Sequence, residues 1–212
     1  MIHVRNWALA NFLWMSIIGA GHLLGQTAED LIQSGPMLGH ISMRSAQIWV
    51  QTSAQSKVQI EYSPQGEVEY AWLRTPPVKS NERSGHTAQL ELIDLEPGTA
   101  YDARVVVDDQ IASEVFDFST QVLWDYRMDP PPFKFVTGSC AYINEEAYDR
   151  PGKPYGGGYE IFESMANEAP DMMLWLGDNI YLREVDFQSY SGFVHRYSHM
   201  RSTPEMARLL KA

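Results

Sequence analysis

Three side chains that can bind a metal ion follow two apolar segments in the second half of the chain. Cys140 follows segment 133–137, whereas Asp178 and Tyr181 follow segment 171–176. Thiolate and phenolate donors suit a redox-capable or borderline ion such as iron, and carboxylate oxygens also bind calcium. These residue types therefore indicate a candidate metal site, provided that the fold brings the two segments together.

The order of the predicted elements places these segments side by side. Segments 133–137 and 171–176 are short, nearly continuous apolar strands, and residues 159–167 between them carry apolar side chains at helical spacing. Such a unit forms two parallel strands joined by a right-handed crossover, with ligands beyond their carboxyl ends. Because neighbouring strands lie about 5 Å apart and metal bonds measure about 2.0–2.3 Å, all three side chains can reach one ion.

Other interpretations of these side chains stay open. A lone cysteine is often simply buried, an aspartate can cap the turn after a strand, and a tyrosine can belong to the core. A second candidate pair is His195 and His199, four residues apart on a predicted helix. The residues between them lack the glutamate of an H-E-x-x-H protease, so we interpret both as helix-surface histidines.

Apolar side chains also recur at helical spacing near this predicted helix. They are Phe187, Tyr190, Phe193, Val194 and Tyr197. This spacing predicts that the stripe faces the core.

The first half of the chain contains short strands separated by turn residues. The predicted strands cover residues 46–51, 57–62, 86–92, 99–107 and 111–118. Regular spacing of such strands predicts an antiparallel sandwich. Pro97 and Gly98 followed by Tyr101 match a tyrosine corner, in which the phenol bonds to upstream backbone. The segment resembles a fibronectin type III module, which we interpret as a scaffold that orients the next domain.

The motifs after the two apolar strands resemble those of a known enzyme superfamily. Gly177-Asp178-x-x-Tyr181 is similar to the second metal motif of the metallophosphoesterases. Purple acid phosphatases and PhoD-like alkaline phosphatases both combine this motif with an N-terminal sandwich. The former have an aspartate after the first strand, whereas the latter have Gly-Ser-Cys, as in Gly138-Ser139-Cys140. The chain therefore resembles the PhoD-like family.

This resemblance implies a site and a chemistry. Cys140, Asp178 and Tyr181 would be metal ligands, with Asp178 bridging ions, and the metals would be iron with calcium. The implied reaction is hydrolysis of small-molecule phosphate monoesters or diesters by a metal-activated hydroxide. The alternatives are a non-catalytic extracellular binding module and a purple-acid-phosphatase-like enzyme, the latter disfavoured by Cys140.

The resemblance also implies a multidomain organisation. An all-β immunoglobulin- or fibronectin-like sandwich precedes the first part of an α/β (α+β sandwich) metallophosphoesterase domain. We expect a signal peptide at 1–28, the sandwich at 36–121, a linker at 122–132 that contains three consecutive prolines, and the metallophosphoesterase portion at 133–212. Because the family's remaining ligands follow later in its chains, we expect residues 1–212 to lack a full bimetallic site.

Composition excludes several other classes of protein. Sixteen Lys and Arg against 27 Asp and Glu give a net charge of −11, without the basic footprint of a nucleic-acid binder. The single cysteine cannot form an intrachain disulfide. The expected partners are therefore small molecules and metal ions.

The first residues have the composition of a secretory signal sequence. Residues 7–24 are mostly apolar and follow Arg5, the layout of a signal peptide. A buried helix or an uncleaved anchor is the alternative, since the run approaches the length of the shortest spanning helices. We expect an exported protein, periplasmic or extracellular, with no stable membrane span after cleavage.

Overall fold

The computed structural model describes residues 31–66, 71–153, 155 and 157–211. The expected signal peptide at 1–28 lies outside these residues. Within the described ranges, no helix has the length and apolarity that crossing a bilayer requires.

The first part of the described chain is a β-sandwich. Its strands in chain order are β1 (Ile32–Ile41), β2 (Ala46–Thr52), β3 (Lys57–Pro64), β4 (Leu73–Arg74), β5 (Val78–Lys79), β6 (Thr87–Leu92), β7 (Ala100–Val107), β8 (Gln110–Ile111) and β9 (Phe116–Ser119). One sheet has the order β1-β2-β6. The other has the order β4-β3-β7-β8, with β5 paired to β3 and β9 paired to β7. All of these pairs are antiparallel.

Alternation of apolar and polar residues builds the sandwich core. In β6, Ala88, Leu90 and Leu92 are buried, whereas Gln89 and Glu91 face solvent. Successive side chains of a strand point to opposite faces, so one face of each sheet contributes to a shared apolar interior. The buried residues of both sheets form one continuous cluster. The predicted strands at 46–51, 57–62, 86–92 and 99–107 are confirmed to within about two residues.

The prediction of one strand over 111–118 is wrong. The segment divides into β8 and β9, because side-chain hydrogen bonding replaces the ladder between them. The backbone N–H of Val105 donates to Ser113 Oγ at 2.9 Å, while the N–H of Ala112 donates to the Val105 carbonyl at 2.9 Å. The strand β1 was not predicted and begins at Ile32, before the expected sandwich boundary at 36.

A small α/β unit follows the sandwich. Its elements are β10 (Phe135–Gly138), α1 (Glu160–Asn167), β11 (Met172–Trp175), α2 (Tyr190–Ser202) and α3 (Pro204–Lys211). Strands β10 and β11 are parallel, with Phe135 opposite Met172 and Gly138 opposite Trp175. The predicted strand–helix–strand order is therefore present. Phe162 of α1 and Met206 and Leu209 of α3 belong to a second buried cluster that holds this unit together.

The prediction that the apolar stripe faces the core is wrong for its aromatic residues at 187, 190 and 193, whereas Val194 and Tyr197 are half-buried. Phe187, Tyr190 and Phe193 are exposed, although α2 does form over Tyr190–Ser202. The buried positions of α2 are instead Arg196, Ser198 and Met200. The polar contacts of Arg196, described below, orient this face of the helix together with Met200, which packs in the second buried cluster.

The tyrosine corner generates a stability prediction. The phenol oxygen of Tyr101 accepts a hydrogen bond from the backbone N–H of Glu96 at 2.9 Å, and its ring stacks on Phe118. Tyr101→Phe keeps the ring but leaves this N–H without its acceptor, so it should lower the free energy of unfolding by about 1 kcal/mol. Urea unfolding measures the change. Tyr126→Phe, at a fully exposed tyrosine, is the matched control, and equal unfolding midpoints for the two variants would contradict the assignment.

Candidate metal site

The candidate site lies at the carboxyl edge of the two parallel strands. The segments that follow the two strands stay paired. The N–H of Leu176 donates to the Gly138 carbonyl, and the N–H of Ala141 donates to the Asp178 carbonyl, both at 2.9 Å. These two bonds connect the loop after β10 to the loop after β11. Cys140 is therefore held next to Asp178.

The structure brings the three predicted side chains together. Cys140 Sγ lies 3.9 Å from Asp178 Oδ2, and the Tyr181 hydroxyl donates to the same oxygen at 2.9 Å. Two atoms bound to one ion at about 2.0–2.3 Å are at most about 4.6 Å apart. Both separations are within this limit, so the three donors can share one ion.

An unusual backbone conformation presents two of these side chains. Cys140 has φ of 61° and Asp178 has φ of 47°, both in the left-handed region, and Gly177 before Asp178 has φ of 117°. A non-glycine residue in this region costs about 1–3 kcal/mol and persists only where the surroundings enforce it. Nine non-glycine residues of the described chain have a positive φ, and Cys140 and Asp178 are the two that stand at the candidate site, where both side chains are exposed.

The phenol of Tyr181 is held in its neutral form. Hydrogen bonding with the Cys140 thiol and with the Asp178 carboxylate raises the pKa of Tyr181 above its ordinary value. A cation that binds the phenolate must therefore displace this proton, as metal ions do at thiol and phenol ligands.

The donor set fits part of a metal centre. In the described part of the chain, no group of three or more His, Cys, Asp or Glu side chains is placed to hold an ion. What is present is a mixed set of one thiol, one carboxyl and one phenol, with two atoms of the set within 3.9 Å of Asp178 Oδ2. This mixture suits iron, and its carboxylate is also compatible with calcium.

A buried arginine, Arg183, supports the segment that carries Tyr181. Its guanidinium donates to the Asp149 carboxylate, to the Tyr181 carbonyl at 2.6 Å and to the Ile143 carbonyl at 2.7 Å. It also lies 4.1 Å from the centre of the Tyr142 ring. Arg183 therefore fastens the loop after β10 to the backbone of a candidate ligand.

A second arginine, Arg196 of α2, extends this network. It donates to Asp186 at 2.8 Å and 3.3 Å and to Glu145 at 2.6 Å. Asp186 also accepts the backbone N–H of Arg183 at 2.7 Å. The two arginines thus join helix α2, the segment after Asp178 and the loop after β10 into one unit.

The two histidines are placed beside this network. Their rings are parallel with centres 6.2 Å apart, but His195 Nε2 contacts Glu145 at 3.0 Å, whereas His199 Nε2 contacts the Asn144 carbonyl at 3.2 Å. They therefore have separate partners. Sequence analysis did not find Arg183, Asp149, Glu145 or Asp186 as supporting residues, because long-range pairing leaves no local pattern.

A cleft opens next to Cys140. It has a volume of about 460 Å³, and its walls include Tyr155, Tyr159, Phe162 and Trp175. This volume is in the usual range for small-molecule sites. The candidate site therefore has space for a substrate beside it.

Comparisons with known proteins support the fold. The model of a domain of unknown function (DUF7800) matches residues 29–121, which include the sandwich. No match was found among curated proteins. A solved structure of PhoD has a TM-score of 0.62 and 17% identity, over 88% of this chain and 38% of the PhoD chain. At this identity the likeness shows a shared fold, and this chain spans 38% of the PhoD chain.

A weaker likeness covers a smaller share of this chain. The sensor domain of the anti-sigma factor RsgI4 in Pseudobacteroides cellulosolvens is 17% identical over 42% of this chain and 98% of that chain, with a TM-score of 0.33. A TM-score this low supports no functional comparison.

The buried arginine network generates a pH prediction. Burial raises the pKa of the Asp149 carboxyl, but hydrogen bonds from Arg183, the Glu145 amide and Tyr142 outweigh it, so the pKa lies below its usual range. A carboxyl with a lowered pKa in the folded state stabilises the fold above its unfolded pKa of about 3.9, and this contribution is lost as the pH falls through the folded pKa. The free energy of unfolding should therefore fall on acidification below about pH 4.

The variant Asp149→Asn isolates the contribution of this carboxyl to the pH dependence of stability. It should be less stable at neutral pH, because Arg183 loses its charged partner, and its stability should change less between pH 4 and lower values. Asp117→Asn, at an exposed position of β9, should keep the wild-type pH dependence. Urea unfolding at a series of pH values measures both. Parallel curves for Asp149→Asn and the wild type would refute the prediction.

Proposed function

We propose that the protein is an exported, PhoD-like, metal-dependent hydrolase of phosphate esters, with Cys140, Asp178 and Tyr181 as metal ligands. The observation that carries the proposal is the convergence of a thiol, a carboxyl and a phenol at one edge of the β10–β11 sheet, with separations of 3.9 Å and 2.9 Å. Independent structural roles for these residues do not require them to meet.

The structural likeness to PhoD supports this proposal at the level of fold. It covers both the sandwich and the α/β unit, since it extends over 88% of this chain. Gly138-Ser139-Cys140 and Gly177-Asp178-x-x-Tyr181 stand at the ends of the two parallel strands, where the resemblance requires the two motifs. Ligands beyond these three residues, and the activity of the whole enzyme, belong to the proposal.

Iron with calcium is the metal content that we propose. When bound, such ions polarise phosphoryl oxygens and supply a hydroxide nucleophile near neutral pH. In this proposal Asp178 bridges the ions; the approach of the other two side chains to its Oδ2 supports a common site for the three ligands. Arg183 fixes the backbone of Tyr181, so the phenol keeps its position when its proton leaves.

The substrates that we propose are small-molecule phosphate monoesters or diesters. The cleft beside Cys140 can accept the organic part of such an ester, because aromatic side chains form much of its wall. The acidic chain, with a net charge of −11, repels polyanions at long range, which favours small substrates.

The function is tested by replacing the Asp178 carboxylate in the gene product that contains these residues. With iron and calcium supplied, it should hydrolyse 4-nitrophenyl phosphate or bis(4-nitrophenyl) phosphate. Asp178→Asn should lower kcat/KM by at least about 100-fold, since loss of even an outer supporting residue costs about 10–100-fold. Asp117→Asn is the matched control and should retain full activity.

Two results would contradict the proposal. One is hydrolysis that continues unchanged after Asp178→Asn or after removal of metal by a chelator. The other is a gene product that holds iron and calcium in stoichiometric amount but hydrolyses neither ester.

A further inference from the structure

The cleft beside Cys140 begins at the candidate metal site. Ser139 and Cys140 of the first motif belong to its walls, together with Val136 and Thr137 of β10. A phosphoryl group at an ion held by Cys140 would therefore lie at one end of this cleft. A substituent on that phosphoryl group can extend into the cleft.

The walls of the cleft are aromatic and uncharged. Among the wall residues that the described chain supplies, none is Asp, Glu, Lys, Arg or His. The aromatic members are Tyr142, Tyr155, Tyr159, Phe162 and Trp175. Such a surface offers little compensation to a charged or strongly hydrated group, because burying polar groups without partners is unfavourable. It favours an apolar, flat substituent instead.

Tyr142 connects this wall to a candidate metal ligand. The centre of its ring lies 5.3 Å from that of Tyr181. Its hydroxyl donates to the Asp149 carboxylate at 3.0 Å, and the guanidinium of Arg183 lies 4.1 Å from the ring centre. The ring therefore has a fixed position, which lowers the entropy lost when a substrate packs against it.

Tyr155 forms the adjacent part of the wall. Its ring meets that of Tyr142 edge to face, with centres 5.2 Å apart and planes at 67°. The Arg150 guanidinium lies 5.3 Å from the centre of the Tyr155 ring, and Asn144 Nδ2 donates to the Tyr155 carbonyl at 3.0 Å. Tyr155 is nevertheless 45% exposed. A third aromatic ring can therefore pack against this pair in the offset or edge-to-face arrangements that such rings prefer.

The space beside these rings is open. Gly157 also belongs to the wall, and an added Cβ at this position would have no heavy atom within 4 Å. The described protein therefore leaves room for a substituent next to Tyr155.

We propose that this cleft binds an aromatic ester group of the substrate, and that Tyr142 and Tyr155 determine a preference for aryl over alkyl phosphate esters. The inference rests on the proposed function, because the metal ligands place the phosphoryl group. It deepens that function by naming the substrate class and two residues that select it.

Three phosphonates with the same anionic head group test the preference. They are phenylphosphonate, cyclohexylphosphonate and methylphosphonate, whose organic groups are a flat ring, a puckered ring of similar size and a single methyl. Isothermal titration of the gene product, loaded with iron and calcium, measures the three dissociation constants. Phenylphosphonate should bind at least about tenfold more tightly than methylphosphonate and at least about twofold more tightly than cyclohexylphosphonate.

Variants assign the preference to the cleft. Tyr155→Ala should reduce the preference for phenylphosphonate over methylphosphonate by at least about threefold, whereas Tyr155→Phe should retain it because the ring remains. Tyr148→Ala is the matched control, since Tyr148 belongs to the same loop, is 48% exposed and is not a wall residue of the cleft. Methylphosphonate should bind all of these proteins equally, which shows that the metal site is intact. Thermal unfolding checks that each variant is folded.

The outcomes separate this inference from the proposed function. In a preparation that hydrolyses bis(4-nitrophenyl) phosphate, the inference is overturned if phenylphosphonate does not bind, or if it binds no more tightly than either of the other phosphonates. An unchanged preference in Tyr155→Ala overturns it too. A preparation that prefers phenylphosphonate but hydrolyses neither nitrophenyl ester would contradict the proposed function and leave the aromatic preference of the cleft standing.

Discussion

Two buried arginines fix the loops of the α/β unit that carry the candidate site. Arg183 and Arg196 are 7% and 2% exposed, so each charge depends on its carboxylate partners, Asp149 for the first and Asp186 and Glu145 for the second. Removing one partner of such a pair costs about 3–5 kcal/mol, a large part of the stability of a typical domain. The loop after β10, the segment after Asp178 and helix α2 are joined by these pairs, and the position of Tyr181 follows from them.

At the candidate site, the support from the arginine pairs is combined with strained backbone at Cys140 and Asp178. The parallel pairing of β10 and β11 places Cys140 and Asp178 side by side, and left-handed backbone at both residues turns their side chains outward at the sheet edge. Neither conformation is favourable alone. The arginine pairs and the backbone bonds between the two loops hold residues that would otherwise relax. A site assembled from loops thereby gains the rigidity that metal ligands need.

Much of the fold could be predicted, because local periodicity specifies it. Alternating residues such as those of β6 locate the sandwich strands, and the strand–helix–strand order brings Cys140 and Asp178 together. The arginine network could not be predicted, since Arg183 pairs with Asp149 across 34 positions of sequence. Ser113 divides a predicted strand through one side-chain hydrogen bond. Tyr190 and Phe193 of α2 were expected to face the core but are exposed, because the contacts of Arg196 and Met200 turn another face of the helix inward.

The central claim is that Cys140, Asp178 and Tyr181 bind one metal ion together. X-ray absorption at the iron edge of the iron-loaded protein tests it most directly. The account predicts one sulfur at about 2.3 Å among lighter oxygen neighbours, loss of that sulfur in Cys140→Ser, and a retained sulfur with fewer oxygens in Tyr181→Phe. Iron without a sulfur neighbour in the wild type, or an unchanged spectrum in Cys140→Ser, would contradict it.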